Sequence, residues 1–307
     1  MKKNTVKKFG QKWKKREFKR EEGTSMPPRQ CTCGRSASYP YCDGTHKKKK
    51  ESIMKDGMID VLDKNKFIVL QDEEVPEDKA GVLGVYTNKL VEIPNFIDPQ
   101  IVPKMIHFFE NCNVDWGDIA FYGSSGKGIM TDSETMKKFE LPDGFFDKLK
   151  NKYQETVQLV FGREVRANTS HAQKWDVGGF ASPHSDNSDN EGKPNAFEIN
   201  KYVGILYLND DYEGGELYFC DKDNAMNPYL SFKPNKYSYY VFPGGYENIH
   251  GVSEITKGTR YTMVSFWDFA DLVYDDATLE KWKEEEKQVR IEQAAQKEEW
   301  KKGNKNA

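Results

Sequence analysis

No run of apolar residues in this 307-residue chain comes near eighteen, which excludes a membrane-spanning helix. The N-terminal stretch MKKNTVKKFGQKWKKREFKREEG also lacks the apolar core of a secretory signal. Its lysines and glutamates fit a mitochondrial transit sequence poorly. Cysteine is scarce, with five residues at positions 31, 33, 42, 112 and 220. So few, and an odd number, argue against a disulfide framework and for a reducing, cytoplasmic setting in which clustered cysteines bind metal. Cys112 and Cys220 stand alone and are expected as buried apolar residues. Histidine is equally sparse, at five.

What is present is a globular composition, 37% hydrophobic and 13% aromatic, diluted by polar segments to a mean hydropathy of -0.83. Charge is unevenly spread. Residues 1–50 hold sixteen Lys and Arg against four Asp and Glu, so the remainder is acidic although the whole chain carries only -3. With few aromatics among its lysines, this N-terminal arm is read as a solvated tail rather than a nucleic-acid-binding surface.

Composition divides the chain into a basic arm (1–26), a cysteine module (27–50), an irregular linker (51–90), a larger domain (91–270) and a charged C-terminal helix or tail (271–307). Val102, Met105, Ile106 and Phe109 recur at helical spacing behind Asp98-Pro99. A second helical stripe runs through Phe146, Leu149, Tyr153, Val157 and Val160, and Gly162 is placed to end it. From about 165 to 267 the pattern changes to short β-like runs, KYVGILYL, GELYFC, KYSYYVF and TRYTMVSFW. Helices followed by a block of strands predict an α+β domain built on a sandwich or jelly roll.

Two histidines and an aspartate stand out in that block. His184 and Asp186, in SPHSDN, are two apart and would share a face of an extended strand. His250, in YENIHGV, follows after enough chain for several strands to return beside them. Two imidazoles and one carboxylate on one side of an ion leave three positions open, the arrangement of non-haem Fe(II) oxygenases. Arg260 lies ten residues on, with Thr262 on the same strand face, and a guanidinium with a neighbouring hydroxyl suits a buried carboxylate. The co-substrate such a site would hold is 2-oxoglutarate. His107 and His171 are read as structural, the latter just before a WDVGG strand. GSSGKG (123–128) lacks the Ser or Thr a phosphate loop needs after its Lys, and is read as a plain loop. The sequon Asn168-Thr169-Ser170 has no secretory signal to go with it.

The runs WDVGGFASPHSDN, GILYLNDDYEGGELYF and VFPGGYENIHGVSEITKGTRYTMVSFW resemble the catalytic domain of prolyl 4-hydroxylases and related Fe(II)/2-oxoglutarate dioxygenases. The resemblance covers roughly residues 90–270 and implies a double-stranded β-helix (jelly roll) with flanking helices. It implies His184, Asp186 and His250 as catalytic iron ligands, Arg260 and Thr262 as 2-oxoglutarate contacts, and hydroxylation of a protein or peptide residue, prolyl foremost. 2-Oxoglutarate and O2 would become succinate and CO2, and L-ascorbate would serve as reductant. Relatives often have tyrosines nine and three residues before the first iron histidine, where this chain has Trp175 and Ala181.

CTCGRSASYPYCDGTH (31–46) offers Cys31, Cys33, Cys42 and His46. A tetrahedral Cys3His zinc site is chemically possible, although the spacing is unusual for a zinc finger. The run resembles the CDGSH iron–sulfur signature, with Thr45 in place of its serine. That resemblance implies a [2Fe–2S] cluster on Cys31, Cys33, Cys42 and His46, and a homodimer through this small N-terminal module. Such a cluster would make the chain an oxygenase with an accessory electron donor. Alternatively, the chain is an iron–sulfur electron-transfer or redox-sensing protein whose jelly roll is a binding module.

Overall fold

The computed structural model describes residues 62–75, 85, 87–111, 117–119, 126–130, 144–221, 224, 226–288 and 291. The cysteine module, with Cys31, Cys33, Cys42 and His46, lies outside these residues, as do the basic arm and Cys112. In chain order the elements are β1 (Ile68–Gln71), β2 (Leu90–Ile93), α1 (Val102–Asn111), β3 (Gly117–Ile119), β4 (Gly126–Met130) and α2 (Phe145–Phe161). Then follow β5 (Val165–Trp175), β6 (Ala181–His184), β7 (Tyr202–Tyr207), β8 (Glu213–Gly214), β9 (Leu217–Phe219) and β10 (Leu230–Phe232). The series ends with β11 (Tyr239–Pro243), β12 (His250–Val252), β13 (Ile255–Lys257), β14 (Arg260–Phe269) and a helix α3 over 276–288.

Apart from β8 and β13, strands β5 to β14 are divided between two antiparallel sheets. The larger runs β1-β2-β11-β7-β14-β5-β4-β3 and the smaller β10-β9-β12-β6, with β8 and β13 as a separate pair. The chain thus winds back and forth between facing sheets, which is the jelly roll. β7 shows why the large sheet reads as a continuous apolar run: Val203, Ile205 and Tyr207 face the small sheet's Leu217 and Phe219, while Tyr202 and Leu206 face the helices. α1 buries Val102, Met105 and Phe109 there, and α2 buries Leu149, Tyr153 and Val157. Gly162 ends α2 at φ 68°, a left-handed turn that favours glycine.

Local differences from the sequence expectations have simple causes. Phe145 rather than Phe146 is fully buried at the start of α2, because the helix begins one residue earlier in the apolar stripe. KFIVLQ, expected to be irregular, forms edge strand β1 against β2. His171 lies inside β5, whereas WDVGG only ends that strand at Trp175 and then turns towards β6. Gly126-Lys127-Gly128 opens β4 and pairs with β3. In the C-terminal segment Asp275 Oδ1 accepts from Thr278 N at 2.7 Å to start α3, and Trp282 packs edge-on against Tyr274, centroids 4.7 Å apart.

Candidate metal and co-substrate site

β6 and β12 are antiparallel neighbours in the small sheet, and His184 is paired in register with His250. Each imidazole places Nδ1 on a carbonyl two residues upstream, His184 on Ser182 O at 2.7 Å and His250 on Asn248 O at 2.9 Å. A carbonyl only accepts, so Nδ1 carries the proton and Nε2 presents its lone pair. Asp186 completes the group, its Oδ1 3.9 Å from His184 Nε2 and its Oδ2 3.6 Å from His250 Nε2. The three ligand atoms lie within 4.8 Å of one another.

Strand alternation does not place Asp186, because β6 stops at His184. Asp186 N and Asn187 N both donate to Gly244 O, at 2.8 and 3.2 Å, so the turn after β11 holds the carboxylate. Position 244 must be glycine for this approach: a Cβ there would lie 2.6 Å from Asn200 O and 3.4 Å from Asp186 Cβ.

Phe219 and Phe242 wall His250, with ring centroids at 5.9 and 4.9 Å. Burial lowers both imidazoles to about 4 and raises the Asp186 carboxyl to about 6. Asp186 Oδ2 is buried without a hydrogen-bond partner. Two neutral imidazole lone pairs and an orphaned carboxylate oxygen fit a divalent metal, which would supply the missing partner.

Arg260 begins β14 and is 2% exposed. Its Nη2 donates to Tyr207 Oη at 2.9 Å, and its guanidinium carbon lies 4.9 Å from the Tyr207 ring centroid and 5.6 Å from that of Trp175. Its Nε and Nη1 are buried and unpartnered. Thr262, fully buried, donates at 3.5 Å to Gln173 Oε1, which also accepts from Trp175 Nε1 at 3.1 Å. Trp175 packs with Ala181 of β6 and Val252 of β12, the strands that carry the histidines. Arg260 and the ligand triad are thus joined through one cluster. Tyr207 was not singled out in the sequence; its place in a run buried on both faces masks its contact with Arg260.

Residues 170–268 match the 2OG-Fe(II) oxygenase superfamily. That matched stretch contains His184, Asp186, His250 and Arg260. Residues 5–47 match the iron-binding zinc finger CDGSH type, a match that reaches back into the stretch read as a basic arm. The chain is similar to human prolyl 3-hydroxylase 2, 40% identical over 82 residues, covering 27% of this chain and 11% of that protein. Human prolyl 3-hydroxylase 3 is 36% identical over 78 residues, covering 25% and 10%. The chain therefore spans about a tenth of the length of these curated relatives. Among solved structures, a prolyl-4-hydroxylase from Pseudomonas putida gives a TM-score of 0.45 at 13% identity, covering 59% of this chain and 93% of that one. A viral collagen prolyl hydroxylase from Paramecium bursaria Chlorella virus-1, in its 2OG complex, gives 0.44 at 14%, covering 62% and 100%. Among the described residues no helix is long and apolar enough to cross a membrane.

Proposed function

We propose that this chain hydroxylates a prolyl residue of a protein or peptide, using Fe(II) held by His184, Asp186 and His250 and 2-oxoglutarate anchored by Arg260, with Thr262 beside it. The observation that carries this reading is the pairing, in one barrel, of a buried two-histidine, one-carboxylate group with a buried arginine whose Nε and Nη1 lack partners. Bound there, Fe(II) with 2-oxoglutarate and O2 supplies the oxidant for C–H hydroxylation, with succinate and CO2 as co-products. The chain's own part is positional. Ser182 O and Asn248 O hold the imidazoles with Nε2 bare, and the Gly244 turn aims Asp186 between them. Phe219 and Phe242 keep water from His250. Arg260, fixed by Tyr207, takes the far carboxylate of the co-substrate.

The prolyl substrate rests on the names of the relatives at 36–40% identity. We further propose a [2Fe–2S] cluster on Cys31, Cys33, Cys42 and His46, with the cluster or L-ascorbate as the reductant that returns the iron to Fe(II).

The test incubates the full chain with Fe(II), O2, 2-oxoglutarate and a proline-containing peptide pool. Succinate release is measured, together with peptide mass gains of one oxygen. Product analysis separates 3- from 4-hydroxyproline. Absence of 2-oxoglutarate-dependent succinate, or equal yield from wild type and His184→Ala, overturns the oxygenase reading. Stoichiometric zinc without acid-labile sulfide overturns the cluster.

A further inference from the structure

Arg260 is a buried cation without an anion. Among the described residues no carboxylate lies within ion-pair distance of it, and its Nη2 donates to the Tyr207 hydroxyl. A second orphan lies against it. Tyr212, in the loop after β7, is 2% exposed, and its Oη is buried with no hydrogen-bond partner. Burial pushes this phenol up to about 12, against the opposing pull of the Arg260 guanidinium, through its charge and the close approach of its N–H groups to the phenol oxygen.

The phenol cannot swing away to find water. Its ring packs with Trp175, Ala181, Val252 and Ile255, under a Lys233 Nζ 4.6 Å from its centroid. Lys233 also donates to the Tyr212 carbonyl. A Cβ on Gly215 would lie 2.9 Å from Tyr212 Cε2, and one on Gly258 would lie 3.1 Å from its Cα, so the backbone closes in from two sides. Trp175, also at the guanidinium, spends its Nε1 on Gln173, whose own Nε2 lies 2.8 Å from His171 Nε2.

The unspent groups are therefore donors: Arg260 Nε–H, Arg260 Nη1–H and the Tyr212 O–H. Tyr207 Oη accepts from Arg260, so its own proton is also available. A pocket of donors around an unneutralised cation calls for a ligand group that only accepts, and an ionised carboxylate is that group. We propose that Tyr212 donates directly to the far carboxylate of bound 2-oxoglutarate beside Arg260, and so selects a dicarboxylate co-substrate. This rests on the reading that Arg260 receives that carboxylate.

The test measures equilibrium binding to the anaerobic, Fe(II)-loaded full chain, wild type and Tyr212→Phe, with two ligands. One is 2-oxoglutarate; the other is 2-oxopentanoate, which keeps the 2-oxo acid end and chain length but lacks the far carboxylate. Losing one hydrogen bond to a charged group is expected to raise the 2-oxoglutarate Kd about tenfold and leave that for 2-oxopentanoate unchanged. The ratio of the two constants does not depend on how much of the variant is folded. An unchanged ratio, whether neither ligand weakens or both weaken equally, overturns the Tyr212 proposal. A wild type with no preference for 2-oxoglutarate overturns the Arg260 assignment itself, and Tyr212 with it.

Discussion

His250 lies directly opposite His184 across antiparallel β12 and β6, with ring centroids 4.6 Å apart. Cross-strand register is therefore what brings these two ring nitrogens together, and Asp186 joins them from a loop. His184→Ala removes one of three ligands and is expected to weaken Fe(II) or Mn(II) binding by at least a hundredfold. Metal at a hundred times its Kd stabilises a folded site by about 2.7 kcal/mol. A wild-type melting temperature that rises with added metal, and a variant one that does not, is the expected pair of curves.

Arg260 gives a graded series. Arg260→Lys keeps the charge but not the fork that reaches both Tyr207 and a carboxylate, so the KM for 2-oxoglutarate is expected to rise about tenfold. Arg260→Gln loses the charge as well and is expected to exceed a hundredfold. Steady-state succinate kinetics against 2-oxoglutarate concentration read both variants. An effect on kcat with KM unchanged would contradict the assignment.

The C-terminal helix is held by one residue more than by its surface ion pairs. Trp282 is 8% exposed, and Tyr274 beneath it donates to Asp268 Oδ1 at 3.0 Å. Trp282→Ala is expected to cost about 3 kcal/mol in chemical denaturation. Charge removal at Lys283 or Lys287, whose pairs are exposed and screened by solvent, is expected to leave the denaturation midpoint unchanged. Succinate formation per folded molecule should stay at the wild-type level in all three.

Glu247 supplies a pH signature. Burial raises its carboxyl from 4.5 to about 7, although the side chain keeps some solvent contact that reduces the energetic effect. The folded state thus binds more protons than the unfolded one between these values, and stability falls as pH rises through that window. Glu247→Gln preserves an oxygen for the Gly245 N–H and is expected to add about 1 kcal/mol at pH 8 and nothing at pH 4. Denaturation curves at the two pH values check this.

Much of the fold was legible in the sequence where a single periodicity decides it. Leu149, Tyr153 and Val157 fall on one helical face whatever they pack against, and Gly162 stops that helix for a local backbone reason. The runs in β7, β11 and β14 are apolar on both faces and could only be interior strands. Position was less legible where a neighbouring strand decides it. KFIVLQ reads as irregular until β2 is beside it, and His171 belongs to β5 because β14 and β4 pair on either side.

By itself the sequence nominated the donor atoms proposed for the site, since the imidazoles of His184 and His250, the carboxylate of Asp186 and the guanidinium of Arg260 are chemistry carried by residue type. Only the tertiary structure decided which of those atoms are already spent. Ser182 and Asn248 occupy the two Nδ1 positions, Gln173 takes the Trp175 indole, and Tyr207 meets one arm of Arg260 while Tyr212 Oη is left without a partner. Hydrogen-bond satisfaction depends on neighbours drawn from strands far apart in the chain. Residue type therefore nominates a ligand set, while neighbours from distant strands decide which of its polar atoms are already paired.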